Sequence, residues 1–125
     1  MPRFKPQDLR EIGSAIFTAT GCSAQDAQTI TDHLVEASLA GHDSHGTLRF
    51  YEYVYQLGMR DFNPRGKPVI VKEYPCTAVV DGAGAMGQIG ATFATQLAIR
   101  KAREMGIASV ALQNTSHVDV WERIR

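Results

Sequence analysis

Asp81-Gly82-Ala83-Gly84-Ala85-Met86-Gly87-Gln88 is the stretch whose reading decides the fold. Its three glycines fit G-x-G-x-x-G letter for letter, between a β-branched run and a helix-forming one. In a dinucleotide-binding unit such glycines permit a tight turn and bring pyrophosphate to the helix N-terminus. Two features oppose that reading. The next strand ends in Gln113-Asn114, without the acidic residue that would bind a ribose hydroxyl. It also ends further from Gly87 than the roughly 20 residues expected. The bend therefore reads as a glycine turn that packs a helix closely on a sheet, with a small Rossmann nucleotide-binding module as the competing reading.

On either side of the bend the residue pattern supplies the sheet and the helix. Val69–Glu73 and Thr77–Asp81 alternate with period two and are β-branched, with Tyr74-Pro75-Cys76 as the turn between them. A helix is expected over 88–105, where Ile89, Phe93, Leu97 and Ile99 with Ala94, Ala98 and Ala102 form an apolar face that Gly106 ends. A third strand follows over 107–112, and Asn114-Thr115-Ser116-His117 stands at its carboxyl end, where α/β proteins usually bind ligands. Upstream, Leu9, Ile12, Ile16 and Phe17 predict a helix over 6–20. Ser23 with Asp26 resembles a capping box and opens a second helix to about Ala40, buried through Ala27, Ile30, Leu34, Val35 and Leu39. A third helix is expected over 44–57, then a turn-rich connection, D-F-N-P-R-G-K-P. The expected fold is mixed α/β: a helical segment over 1–60 and a small mixed sheet with a packed helix over 61–118.

The chemistry is concentrated in residues 39–55, L-A-G-H-D-S-H-G-T-L-R-F-Y-E-Y-V-Y. If Ser44 caps the third helix, His45, Arg49 and Tyr53 follow at i, i+4 and i+8 on one face. An arginine fork binds a carboxylate through two parallel hydrogen bonds, and a nearby imidazole can move a proton. The alternative is a helix start with an exposed histidine and a surface arginine. His42 and His45 have the spacing of a His-x-x-His metal pair, but no third ligand stands near in sequence, and no metal is expected. Tyr51, Tyr53 and Tyr55 read as packing residues, and His33 inside a helix reads as structural. His117, just past a strand end, is a further site candidate.

Composition narrows the class. The chain has 125 residues, 44% of them hydrophobic, and a formal net charge of zero. That suits one compact core and removes the usual electrostatic case for nucleic acid or an anionic membrane. The start lacks the apolar run of a signal peptide, and no stretch reaches membrane-spanning length. Cys22 and Cys76 stand alone in unlike settings, so reduced thiols in a cytoplasmic protein are expected.

Three blocks together resemble one family: A-S-L-A-G-H-D-S-H-G-T-L-R-F-Y-E-Y, then D-G-x-G-x-x-G, then A-I-x-K-A-R-E-M-G-I-A-S-V-A-L-x-N-T-S-H. They look like the malate/L-lactate dehydrogenases, whose relatives include ureidoglycolate and sulfolactate dehydrogenases and cyclic-imine reductases. The likeness runs from the first helix to Val118. It implies a fold that is not Rossmann and hydride transfer between NAD or NADP and C2 of a 2-hydroxy or 2-oxo acid. It also implies a homodimer with its active site near the interface. On this resemblance His45 matches a motif histidine proposed for proton transfer in some members, and His117 the acid/base histidine of others. His117 is preferred as proton carrier. Arg49 matches the arginine that holds the substrate carboxylate, with Ser44 and Tyr53 lining the pocket. Family members are well over twice this length, and most cofactor-binding residues are expected beyond the present chain. A non-catalytic domain that pairs with a full-length partner is the other competing reading.

The likeness breaks at Asp119. The family has glycines two and five positions after the second histidine, often as H-x-G-R-x-G-E-Y, whereas here the chain reads Asp119-Val120-Trp121-Glu122-Arg123-Ile124-Arg125. Asp-Val-Trp-Glu-Arg-Ile requires GAY-GTN-TGG-GAR-MGN-ATH. One G restored in front gives GGA-YGT-NTG-GGA-RMG-NAT, which forces glycine first and fourth and allows Arg, Glu and Tyr where the family has them. A single-base deletion at codon 119 is therefore expected, which makes residues 119–125 an aberrant tail on a truncated, inactive chain.

Overall fold

The computed structural model describes residues 3–118; the tail from Asp119 lies outside them. The chain forms two compact units, one up to Arg65 and one from Gly66.

The first unit is helical: α1 (Pro6–Ala19), α2 (Ala24–Leu39), a 3-10 turn (Asp43–His45) and α3 (Arg49–Gly58). Ser23 caps α2 as expected, its hydroxyl accepting the Asp26 backbone N–H at 3.1 Å. Phe17, Ala27, Ile30, Leu34 and Val35 form the core with Tyr53 and Leu57 from α3. Gly13 lets the helices close on one another: a Cβ there would stand 2.5 Å from the Thr31 methyl and 2.7 Å from the Phe50 ring. At the edge of the α1–α2 contact Arg10 reaches Asp32 at 3.1 Å and Glu36 at 2.5 Å.

Three sequence expectations change in this unit. The third helix starts at Arg49, not Ser44. Leu39 is 58% exposed. Tyr51 and Tyr55 do not pack within the chain: they are 81% and 59% exposed, because Phe50, Tyr53 and Leu57 already form the inward stripe of α3.

The second unit is a three-stranded sheet with one covering helix. β1 (Val69–Glu73) and β2 (Thr77–Asp81) have the expected bounds, α4 spans Gly87–Met105, and β3 is Ser109–Gln113. The order is β1-β2-β3, with β1 antiparallel to β2 and β2 parallel to β3 through α4. Ala78 and Val80 pack on Ala94 and Leu97, joined by Ile70, Phe93, Val110 and Leu112. Of the expected apolar face Leu97 and Ala94 are buried and Phe93 packs beside them, while Ile89 and Ile99 are only partly buried. The buried positions of α4 are Gly87, Gln88, Gly90, Ala91, Ala94, Leu97 and Lys101, so small residues rather than Ile89 or Ile99 set the closeness of helix to sheet. Gly106, at φ 83°, ends the helix in the left-handed region. Lys101 is 6% exposed, and its ammonium donates to the Tyr74 carbonyl at 2.7 Å and pairs with Glu73 at 2.8 Å.

Acid should weaken the fold in two stages. Burial holds the His33 imidazole below its ordinary pKa, the Asp32 charge pulling partly the other way. The Lys101 hydrogen bond and charge lower Glu73, and the Ala83 N–H, with help from Asn114, lowers Asp81. All three groups bind protons more readily in the unfolded chain. Stability is therefore greatest above about pH 6.5, the ordinary histidine value, and falls as His33 titrates. A second loss begins near pH 4 as the two carboxylates protonate. Urea midpoints measured from pH 8 to pH 3 should fall in that order, and His33→Gln should flatten the upper stage alone. A midpoint that rises between pH 7 and pH 5 would contradict this.

Candidate functional site

The polar segment between α2 and α3 is held by its backbone. His42 N–H returns to the Ala37 carbonyl at 2.9 Å, His45 N–H to His42 at 2.9 Å and Gly46 N–H to Asp43 at 3.2 Å, which makes a 3-10 turn. Helix does not continue from it, because Gly46 has φ −102° and ψ −143°. Ser38 of α2 explains the break. Its hydroxyl accepts the Thr47 N–H at 3.0 Å, and a Cβ on Gly46 would press on the Ser38 backbone nitrogen at 3.0 Å. The segment is thus pinned to α2 before α3 begins.

The single helical face expected for His45, Arg49 and Tyr53 is therefore absent. Ser44 joins two of these residues instead. Its hydroxyl lies 2.9 Å from His45 Nδ1, and its carbonyl accepts Arg49 Nε–H at 2.8 Å. A serine that donates to Nδ1 leaves the ring proton on Nε2; one that accepts reverses the tautomer. The Arg49 guanidinium also pairs, through Nη1, with Glu52 one turn along α3. Tyr53 is 3% exposed and lies in the core, its ring 6.4 Å from Phe17 and 6.3 Å from Phe62. The structure thus gives its ring to packing, since the inward side of α3 faces α1.

His117 belongs to the second unit and is exposed. Its loop is built against the glycine bend. Gly82 N–H donates to the Gln113 carbonyl at 2.8 Å, Gly84 N–H to Asn114 at 2.9 Å and Ser116 N–H to Ala85 at 3.2 Å. The Thr115 hydroxyl donates to the Ala85 carbonyl at 3.0 Å, and Asp81 accepts from Ala83 N–H at 2.7 Å and from the Asn114 amide at 3.0 Å. At the start of α4, Gly87 N–H donates to the Ser116 hydroxyl at 2.7 Å. That helix end, where a pyrophosphate would sit in a dinucleotide fold, is filled by the chain's own loop. A Cβ on Gly87 would stand 2.6 Å from the His117 carbonyl carbon and 2.8 Å from the Ser116 carbonyl oxygen. The glycines admit a loop rather than a phosphate, and the mixed sheet is not the parallel Rossmann arrangement.

Several supports had no signal in sequence. Ser38, Asp81 and Ser116 act across 9, 33 and 29 residues, spacings that no local rule reads. Glu52 was legible as an i+3 partner of Arg49. Among the described residues, no three His, Cys, Asp or Glu side chains gather as a metal site, no helix is long and apolar enough to cross a membrane, and Cys22 and Cys76 form no disulfide.

Known proteins resemble this chain in sequence and fold. A sequence model of malate/L-lactate dehydrogenase matches residues 4–122. Hydroxycarboxylate dehydrogenase B of Escherichia coli O157:H7 is 42% identical over 118 residues, covering 93% of this chain and 32% of the relative. L-sulfolactate dehydrogenase of Methanocaldococcus jannaschii is 36% identical over 116 residues, covering 93% and 34%. A solved sulfolactate dehydrogenase from the same organism superposes with a TM-score of 0.91 at 36% identity, over 94% of this chain and 34% of that one. Malate dehydrogenase from Entamoeba histolytica superposes at 0.90 with 29% identity, covering 93% and 32%. The chain spans about a third of the length of the curated relatives it matches. With this match along nearly its whole length, the chain belongs to the malate/L-lactate dehydrogenase family.

Proposed function

We propose that this chain supplies the acid-binding half of an oxidoreductase that interconverts 2-hydroxy and 2-oxo acids with NAD or NADP. The observation that carries the reading is the Ser44 junction, which holds His45 and Arg49 in one short polar segment. Arg49 and His45 grip the substrate acid, Ser44 and Tyr53 line its pocket, and His117 is the proton carrier for the hydroxyl as the acid is oxidised. A bound nicotinamide would accept the hydride from C2. The residues present do not fit that cofactor at the glycine bend, because the loop carrying Ser116 occupies the helix end. Its binding groups are assigned to the two-thirds of the relatives' length that this chain does not span. The 125 residues by themselves are therefore proposed to be inactive. The reading includes a homodimer and a cytoplasmic setting, where nicotinamide cofactors and small hydroxy acids are both at hand.

The test joins this chain to the remaining two-thirds of the E. coli hydroxycarboxylate dehydrogenase B. The chimera should oxidise malate or a related 2-hydroxy acid with NAD or NADP. Arg49→Ala should lower kcat/KM roughly 10–100-fold, the loss of a charged hydrogen bond. His117→Ala should lower kcat by about 100-fold or more. A folded chimera without activity would sink the reading. The isolated chain should give no heat with NADH in calorimetry, and tight binding there would refute its inactivity.

A further inference from the structure

Arg49 is the cation on which the acid-binding reading depends, and the chain already engages two of its nitrogens. Nε–H donates to the Ser44 carbonyl at 2.8 Å, and Nη1 pairs with the Glu52 carboxylate one turn along α3. A guanidinium offers a planar carboxylate two forks of parallel N–H groups, Nε with Nη2 along its side and Nη1 with Nη2 at its end. Each bond therefore engages one fork, and the two differ in what can move. The Ser44 carbonyl belongs to the backbone of the 3-10 turn, which the His45 and Gly46 N–H groups close. The Glu52 side chain is 44% exposed, and a pair at this spacing on a helix surface is weak. The end-on fork is the one a ligand can open.

We infer that Glu52 is a specificity-determining residue. Its carboxylate is the internal rival of the substrate's at Arg49 and turns the site against acids that carry a second negative charge. The inference rests on Arg49 as the acid grip and adds the substrate class, a 2-hydroxy acid with one carboxylate and an uncharged remainder. An acid that arrives at the end-on fork displaces Glu52 or shares the guanidinium with it. Displacement costs the ion pair, and sharing sets two anions side by side, so either weakens binding. In both cases Glu52 stays on the first turn of α3, and it repels a bound dianion more than a bound monoanion. The pair also leaves Arg49 with little net charge to draw a dianion from solution. An arginine without this neighbour would favour the dianion instead.

The test titrates the isotope-labelled 125-residue chain with L-lactate and with L-malate and follows the Arg49 Nε–H signal by NMR. Wild type should bind lactate at least as tightly as malate. Glu52→Gln keeps the size and a hydrogen-bond acceptor without the charge. It should tighten malate about 5–10-fold and lactate only about twofold. That difference should shrink with salt, as the Debye length falls from roughly 30 Å at 0.01 M to roughly 8 Å at 0.15 M. Glu52→Asp, which keeps the charge, should retain the wild-type order. A purely structural role for Glu52 would move both acids alike. A Glu52→Gln chain that gains no more for malate than for lactate, with Arg49 responding to both, overturns the rivalry and leaves Arg49 as the acid grip. An Arg49 signal that answers neither acid in either chain overturns both.

Discussion

Phe17→Ala should destabilise the helical unit by about 3–5 kcal/mol, the usual cost of removing a fully buried aromatic ring. Phe17 has no exposed surface and meets Phe50 edge-on at 5.8 Å and Tyr53 at 6.4 Å. Both neighbours lie on α3, the helix that starts with Arg49, so the ring is a contact through which α1 positions the start of that helix. Removing it leaves a cavity that three helices can close only by shifting. Hydrogen exchange of the α2 amides reads the loss within this unit alone. Protection should drop by roughly two to four orders of magnitude, the same energy at 1.4 kcal/mol per tenfold. Ile12→Ala, four residues before Ile16 on α1 but 52% exposed, is the control and should cost about 1 kcal/mol or less. Equal effects at the two positions would contradict the core assignment.

Gly87→Ala should displace the loop that carries His117. The new methyl would meet backbone, the Ser116 oxygen and the His117 carbonyl carbon, which cannot rotate out of the way as a side-chain tip can. Overpacking of this kind costs about 1–3 kcal/mol. It should also break the Gly87 N–H bond to the Ser116 hydroxyl. Ser116→Ala removes that cap without the collision and should cost only about 1 kcal/mol. In the chimera, moving His117 by about an ångström should lower kcat on the order of 100-fold for Gly87→Ala. Ser116→Ala should be milder. The amide signal of His117 should shift in both variants and further in the first. A Gly87→Ala protein with an unshifted His117 amide would show that the glycine is not there to admit the loop.

Local pattern located most elements to within a residue or two. Val69–Glu73 and Thr77–Asp81 were legible because alternation, β-branching and a Pro turn agree, and the Ser23 cap because its partner is three residues away. The same locality explains the misses. Spacing alone ran helix through Gly46, since nothing near it announces that Ser38, eight residues upstream, will claim the Thr47 N–H. Ile89 and Ile99 suggested an inward face for α4. The sheet took Ala94, Leu97 and Phe93 of that face together with Gly90 and Ala91, since close approach is limited by size, and left Ile89 and Ile99 partly buried. Tyr51 and Tyr55 read as packing because they are large, and α3 spent its inward side on Phe50, Tyr53 and Leu57. Of the site, His45, Arg49, Ser44 and His117 were nameable by residue type and resemblance. The hydrogen bonds by which Ser44 joins His45 and Arg49, and those that hold the His117 loop, were not.

What the amino-acid sequence determined by itself was the class of fold, the family and the residue types offered for chemistry. Each of these depends on composition, on short-range periodicity or on motifs contiguous in the chain. Tertiary structure alone decided what the glycine bend is for and how His45 and Arg49 are held. The first depends on hydrogen bonds between groups up to 33 residues apart, Asp81 with Asn114 and Gly87 with Ser116 among them. The second depends on the Ser44 bonds to His45 and Arg49 in a segment that Ser38 pins through Thr47. A G-x-G-x-x-G turn leaves backbone N–H groups and empty space at a helix end. Whether a phosphate or a loop fills that space depends on what the fold brings there, and here it brings Ser116.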